Sequence, residues 1–330
     1  MHEVDWHRQM LADRQRVLAW GRAVHRAVRP GDVVVDLGTG SGVLALIACR
    51  AGARRVYAVE RGRILEVARQ VVAANGAQDR VVFVPGESTQ VELPEPADLA
   101  IAEVVGSFGL EERIVESLSD ARRRHLKPGG RLLPDHLDLW VAPSSQGRHY
   151  HDWPAHLQSD WGLDLGPLAR LSCHVVHGLR ADAARFLGPP ARLLACDLRT
   201  AEPGGLGGAT SVTVSRPGPL CGWIGWFSAW AQGELVLSTR PPLAFPSWQH
   251  LHFPIGEPVE VAPGAVLRLE MALDNPLWSW RCTVSRPPVE REMADFLSYP
   301  ASVFLPASGA RRPDGRAAAA SDFRGISSES

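Results

Sequence analysis

The stretch "DVVVDLGTGSGVLALIACRAG", Asp32 to Gly52, joins two periodicities through a run of glycines. Its first part, "DVVVDLG", is a short β-branched apolar run and reads as a buried strand. Its second part, "SGVLALIACRAG", reads as a helix closed by Gly52. Between them Asp36, Gly38, Gly40 and Gly42 spell D-x-G-x-G-x-G. Glycines let the backbone turn sharply and approach a ligand closely, because no Cβ intervenes. A dinucleotide fingerprint, G-x-G-x-x-G, would need its third glycine where Val43 stands, and it lacks the acid two residues ahead.

Working outward, the same alternation repeats. "RVYAVE" is a second strand and "RILEVARQVVAANG" a helix; "RVVFVPG" and "DLAIAEV" are the third and fourth strands. "EERIVESLSDARRRHL" is a further helix, and "KPGGRLLPD" leads into a fifth strand. Alternation of this kind implies an open parallel sheet with helices on both faces and ligands at the carboxyl ends of its strands. Glu60 ends the second strand, where an acid binds the ribose hydroxyls of a nucleoside cofactor. Upstream, residues 7–28 carry Met10, Leu11, Val17, Leu18, Val24 and Val28 at roughly helical spacing. After Pro134, segments such as "SVTVSR", "GWIGWFSAWA", "LHFPI", "PVEVAPGAVLRLEMAL" and "WSWRCTVS" read as short strands between Gly and Pro turns, the pattern of a β-barrel or sandwich.

The expected organisation is therefore N-terminal helices over residues 1–30, a Rossmann-like α/β domain over 31–134, and a β-barrel domain over 135–305. A helical insertion falls near 148–190, and the small, polar stretch 306–330 is expected to be a disordered tail.

Composition narrows the function classes. The net charge of -1 gives no support for nucleic-acid or membrane attraction, and neither partner is expected. Five scattered cysteines without a C-x-x-C pair fit a reducing cytoplasm. Histidines such as His149, His151, His174 and His177 lack metal-ligand spacing, so no metal is expected. The start, "MHEVDWHRQM", is polar rather than a signal peptide. Of 35 basic residues only Lys127 is a lysine, which suggests a GC-rich, bacterial genome.

A second stretch carries the chemistry. "AEVVGSFGLEE", Ala102 to Glu112, places Glu103 at the exit of the fourth strand and Glu111 and Glu112 beyond a turn. Carboxylates at the end of a buried strand cost free energy unless a cation sits between them.

The glycine loop, its preceding acid, Glu60 and "LKPGGRLLPD" together resemble the class I S-adenosylmethionine-dependent methyltransferases. Three further segments make nearly all of residues 2–285 similar to the protein arginine methyltransferase family. That family's hairpin carries two glutamates nine positions apart, which fall on Glu103 and Glu112; Glu111, one position off, is expected to face solvent. "EVVGSFG" is closer to the symmetric-dimethylating branch. "HRQMLADRQR" resembles the helix that folds over the cofactor, which implies that Arg16 pairs with the cofactor carboxylate while His7 and Met10 line the site. "PSWQHLHFPI" resembles the Thr-His-Trp loop, with Trp248 as its tryptophan and Ser247 in place of histidine, so the histidine–aspartate pair that Asp13 would complete is missing. The first-helix tyrosines of the family are also absent from the start of the chain.

The resemblance assigns Glu103 and Glu112 to catalysis, Trp248, Ser247 and Met10 to the substrate, and Asp36, Gly38, Gly40, Gly42, Glu60, Arg16, His7, Glu87 and Ser88 to S-adenosylmethionine. It also makes the 148–190 insertion a dimerisation arm, and hence the protein a homodimer. The chemistry is coherent with those residue types. A guanidinium is planar, stays protonated and presents a fork of donors that two carboxylates can hold. Bacterial relatives in specialised metabolism use this scaffold on free L-arginine, making Nω-methylarginine for natural products, and free L-arginine is the favoured substrate. The alternatives are an arginine in a polypeptide, another small-molecule nitrogen or oxygen, and a non-enzymatic protein that only binds the cofactor.

Overall fold

The computed structural model describes residues 3–147, 160–274, 277–286, 289–292 and 296–297. The expected tail at 306–330 and the first part of the expected arm, 148–159, lie outside the described residues.

Two helices open the chain, α1 (Glu3–Ala12) and α2 (Arg14–Ala27). The sequence periodicity runs through both without a break, but Asp13 interrupts the helix. Its side chain accepts from the Arg16 N–H at 3.1 Å and caps α2. An N-cap carboxylate satisfies one of the amide donors that a helix start leaves open.

The next unit alternates as its sequence implies: β1 (Val33–Leu37), α3 (Val43–Arg50), β2 (Arg55–Glu60), α4 (Ile64–Ala74), β3 (Val81–Pro85), β4 (Ala97–Ala102), α5 (Ile114–Arg124) and β5 (Leu126–Leu133). The five strands form a sheet in the order β3-β2-β1-β4-β5, and every pairing is parallel. All five residues of β1 are buried, as its unbroken apolar run requires. Strand order reverses between β1 and β4, so a crevice opens beyond Leu37 and Ala102.

The remainder is antiparallel. Strands β6 (His136–Ser144), β7 (His177–Leu179), β8 (Ala191–Asp197), β10 (Gly218–Ala231) and β12 (His250–Val261) form one sheet, with β11 (Glu234–Ser238) added to β10. A second sheet holds β9 (Leu206–Thr213), β13 (Val266–Asp274) and β14 (Leu277–Arg286). These two sheets make a barrel-like domain whose apolar core is continuous with that of the parallel sheet. "LHFPI" and "PVEV" belong to one strand, β12, despite the prolines. The ladder with β10 shifts register between Leu220 and Gly222, and β7 pairs only with His250–His252, so the prolines fall where no second neighbour needs their missing N–H. The described part of the expected arm is not wholly helical: it holds a short helix, α6 (Gly166–Ser172), a 3-10 turn at Ala183–Arg185, and β7, which joins the barrel-like sheet by pairing with β12.

Candidate active site

The carboxyl ends of four parallel strands converge on one region. At the end of β1, Asp36 is buried and accepts from the Thr39 hydroxyl at 2.6 Å. Burial pushes its pKa up to about 6, with Thr39 opposing and the charge of Glu60 adding to the rise. A buried acid with that bias favours a cationic partner. Gly38, Gly40 and Gly42 all have positive φ, at 70°, 53° and 80°. A Cβ on Gly38 would stand 2.7 Å from Val104 Cγ1, and one on Gly40 would stand 2.6 Å from the His7 ring. The loop is thus a cradle that only glycine leaves open, with α1 lying over it through His7.

Glu60 closes β2 with both oxygens engaged. Gly40 N–H donates to Oε2 at 3.1 Å and Gly62 N–H to Oε1 at 2.7 Å. After β3, Glu87 accepts from Arg61 at 2.9 Å and Ser88 meets Ser117 at 3.2 Å. Asp36, the three glycines, Glu60, His7, Glu87 and Ser88 therefore stand on the strand-end face of one sheet. An acid for an ammonium, an acid near a ribose and an open glycine backbone suit S-adenosylmethionine.

Glu103 continues directly from β4, across the crevice from Asp36. Arg16 binds it, donating from Nε to Oε1 at 2.7 Å, with Nη2 at 2.6 Å from the same oxygen. The flat face of that guanidinium lies over Trp248, 4.1 Å from the ring centroid, and Nη1 reaches the Ser247 hydroxyl at 3.4 Å. Burial pushes the Glu103 pKa up to about 7; Arg16 opposes the rise, and Glu112 and Asp36 add to it. Glu112 has an open face to solvent, while the protein enclosing it raises its pKa and Arg16 again pulls the other way. Glu103 is thus ion-paired with a guanidinium, and Glu112 feels the charge of the same group. Met10 is half-buried at the end of α1, with its carbonyl accepting from Asp13 N–H at 3.2 Å.

One sequence expectation changes in this loop. The partner of Asp13 is present as a serine. Ser247 donates to Asp13 Oδ2 from its backbone N–H at 3.0 Å and from its hydroxyl at 2.7 Å. The barrel loop is thereby tied to the cap of α2 without a histidine. Arg16 is found on Glu103, with Nη1 directed to the Ser247 hydroxyl.

Glu111 also departs from expectation. Its side chain folds back into the hairpin and accepts from Phe108 N–H at 2.8 Å, and burial pushes its pKa up to about 7. Asp13 and Glu111 are the site residues that sequence reasoning underrated. A helix cap followed by "RQR" signals the first, but no local pattern signals the second.

A parallel sheet of this order, with a glycine cradle after β1 and an acid ending β2, defines an S-adenosylmethionine-dependent methyltransferase. A family model described as "Ribosomal protein L11 methyltransferase (PrmA)" matches residues 21–134. Protein arginine N-methyltransferase PRMT10 of Arabidopsis thaliana is 30% identical over 304 residues, spanning 81% of this chain and 79% of that protein. The crystal structure of Arabidopsis thaliana protein arginine methyltransferase 10 superposes with a TM-score of 0.75 at 26% identity, covering 90% of this chain and 99% of that one. The Trypanosoma brucei PRMT1 enzyme–prozyme complex with AdoHcy shares the fold, with a TM-score of 0.80 at 22% identity over 89% of this chain and 98% of that one. The chain belongs to the protein arginine N-methyltransferase family. It is an S-adenosylmethionine-dependent enzyme that methylates arginine.

Proposed function

We propose that the arginine this enzyme methylates sits in a polypeptide. The observation that carries the reading is the likeness, over four-fifths of the chain or more, to proteins named for protein arginine. Free L-arginine, favoured by composition and by bacterial likeness, has no such support among them.

The bound cofactor supplies an electrophilic methyl group on a sulfonium. Asp36 would hold its ammonium, Glu60 its ribose, and Glu87, Ser88, the glycine loop and His7 would complete the enclosure. Arg16 would reach its carboxylate with Nη1, the nitrogen least tightly held here. Glu103 and Glu112 then orient the substrate guanidinium by paired, charge-assisted hydrogen bonds, with Trp248 and Met10 along its plane. Methylating a guanidinium releases one proton, and Glu103, poised near 7, is placed to accept it. Positioning supplies most of the rate gain.

A homodimer is also proposed. In the described part of the arm, Trp161 is 74% exposed and Leu163 52%, apolar surface that a second copy would cover. Light scattering checks the state.

The deciding experiment offers labelled cofactor with either an Arg-Gly-rich protein or free L-arginine. Label in the macromolecule is expected, and mass spectrometry counts the methyl groups. Label confined to the small-molecule fraction overturns the polypeptide reading.

A further inference from the structure

The hairpin between β4 and α5 presents Glu103 at one end and Glu112 at the other, with little backbone hydrogen bonding to hold its shape. Gly109 N–H reaches the Gly106 carbonyl at 3.2 Å and Arg113 N–H reaches that of Leu110 at 3.3 Å, both long for such bonds. Gly109 has φ of 98° and Arg113, a residue with a side chain, has φ of 61°. Left-handed backbone at a non-glycine persists only where its surroundings over-determine it. The shortest hydrogen bond within the turn ends on a side chain: Phe108 N–H donates to Glu111 Oε1 at 2.8 Å.

The other oxygen, Glu111 Oε2, is buried and has no hydrogen-bond partner among the described residues. It packs so closely on Gly106 that a methyl group there would overlap it. The buried Trp278 indole nitrogen stands near this carboxylate, short of a well-formed hydrogen bond, and as a donor favours the charged form of Glu111. Trp278, on β14, packs at 5.2 Å and a tilt of 57° against Phe108, which is itself fully buried and lies 5.2 Å from Phe253. Glu111 therefore sits at the joint between the hairpin and the barrel-like domain. A buried, half-satisfied carboxylate is costly.

We propose that Glu111 is a positioning residue of the methyl-transfer site, its carboxylate bracing the turn that aims the adjacent Glu112 at the guanidinium. Glu111 and Glu112 are neighbours, so holding the first against Phe108 and Gly106 directs the second away from them. Gly106 is part of the same device, since only glycine admits the carboxylate. The proposal rests on methyl transfer at the Glu103–Glu112 pair and not on which arginine is the substrate.

The test compares Glu111→Ala, Glu111→Gln, Gly106→Ala and the Glu111→Ala/Gly106→Ala double variant, using full-length protein with an arginine peptide and with free L-arginine. Misaligning one carboxylate predicts a loss of about tenfold or more in kcat for Glu111→Ala, with S-adenosylhomocysteine affinity unchanged. Glu111→Gln keeps the acceptor for Phe108 N–H and is expected to recover kcat to within about threefold of wild type. Gly106→Ala expels the carboxylate, so its loss matches that of Glu111→Ala and the double variant adds nothing. A merely structural role would lower thermal stability and cofactor affinity together. Hydrogen exchange reads the brace without turnover: Glu111→Ala should speed exchange across residues 104–113 and leave the β1–α3 loop unchanged. Near-normal kcat in Glu111→Ala, a loss wholly in cofactor affinity, a glutamine variant no better than alanine, or unchanged exchange across the hairpin overturns the proposal. Wild type inactive on both substrates would instead count against the methyl-transfer reading, with the exchange experiment still deciding the brace.

Discussion

Arg16 and Glu103 stand 87 positions apart in the chain, yet two guanidinium nitrogens of the first lie 2.7 and 2.6 Å from one carboxylate oxygen of the second. This pair docks the N-terminal helices onto the end of β4. Removing Arg16 leaves a buried acid without its cation, so Arg16→Ala is expected to lose roughly 3–5 kcal/mol above the Glu103 pKa and less below it, where Glu103 takes a proton. Denaturant unfolding at two pH values measures it. An equal loss at both would show that the ion pair is not the cause.

Ser247→Ala removes the hydroxyl bond to Asp13 but keeps the backbone one. The expected cost is about 1.5–3 kcal/mol in stability, the range for a bond to a charged group. Turnover should fall far less than in the glutamate variants, because serine carries no charge. A variant folded as well as wild type but without activity would give the hydroxyl a direct chemical role.

Glu103→Gln and Glu112→Gln keep side-chain size and lose charge. Both should fold and bind S-adenosylhomocysteine with near-normal affinity while losing most turnover. Asp36→Ala and Glu60→Ala should show the opposite split, weakening calorimetric affinity by about 1–3 kcal/mol. If the two pairs of variants behaved alike, the division between cofactor face and substrate face would be wrong.

Burial raises Asp36 to about 6 and both Glu103 and Glu111 to about 7. Each binds its proton more tightly folded than unfolded. The stability it contributes is complete below the unfolded value and is lost as pH rises through the folded one. Cofactor-free protein should therefore lose stability between about pH 4 and pH 7, with Asp36→Asn and Glu111→Gln flattening the slope. Urea midpoints across that range test it, and a slope that rises with pH would contradict the assignment. Activity has the reverse sense, because the glutamates must be charged to hold a guanidinium. Glu103 and Glu112 titrate as a coupled pair, so kcat/KM should climb through about pH 7 without a single-residue midpoint.

The glycine loop, the alternating elements and the strand-end positions of Asp36, Glu60 and Glu103 were legible in the sequence because each depends on local backbone preference. An unbroken β-branched apolar run, a glycine needing positive φ and a helix after it are set by neighbours a few residues apart. The pairing of Glu103 with Glu112, by contrast, came from the resemblance to the family's hairpin and not from local preference.

Other features needed the tertiary structure. Residues 7–28 have an unbroken helical period, but Asp13 leaves the helix because one of its oxygens caps α2 while the other takes two bonds from Ser247, 234 positions away. Ser247 by itself reads as a lost histidine; only folding shows that a hydroxyl and an amide satisfy the same acid. Glu111 and Glu112 are chemically identical neighbours, and which one turns inward depends on a free Phe108 amide, the space over Gly106 and an indole from β14. Likewise, the prolines of β12 were compatible with a break until the missing strand beside them made their absent donors harmless. Local pattern determines where the chain bends and which faces are apolar, whereas the partner of a buried charge is chosen among groups that only the folded packing brings within hydrogen-bonding reach.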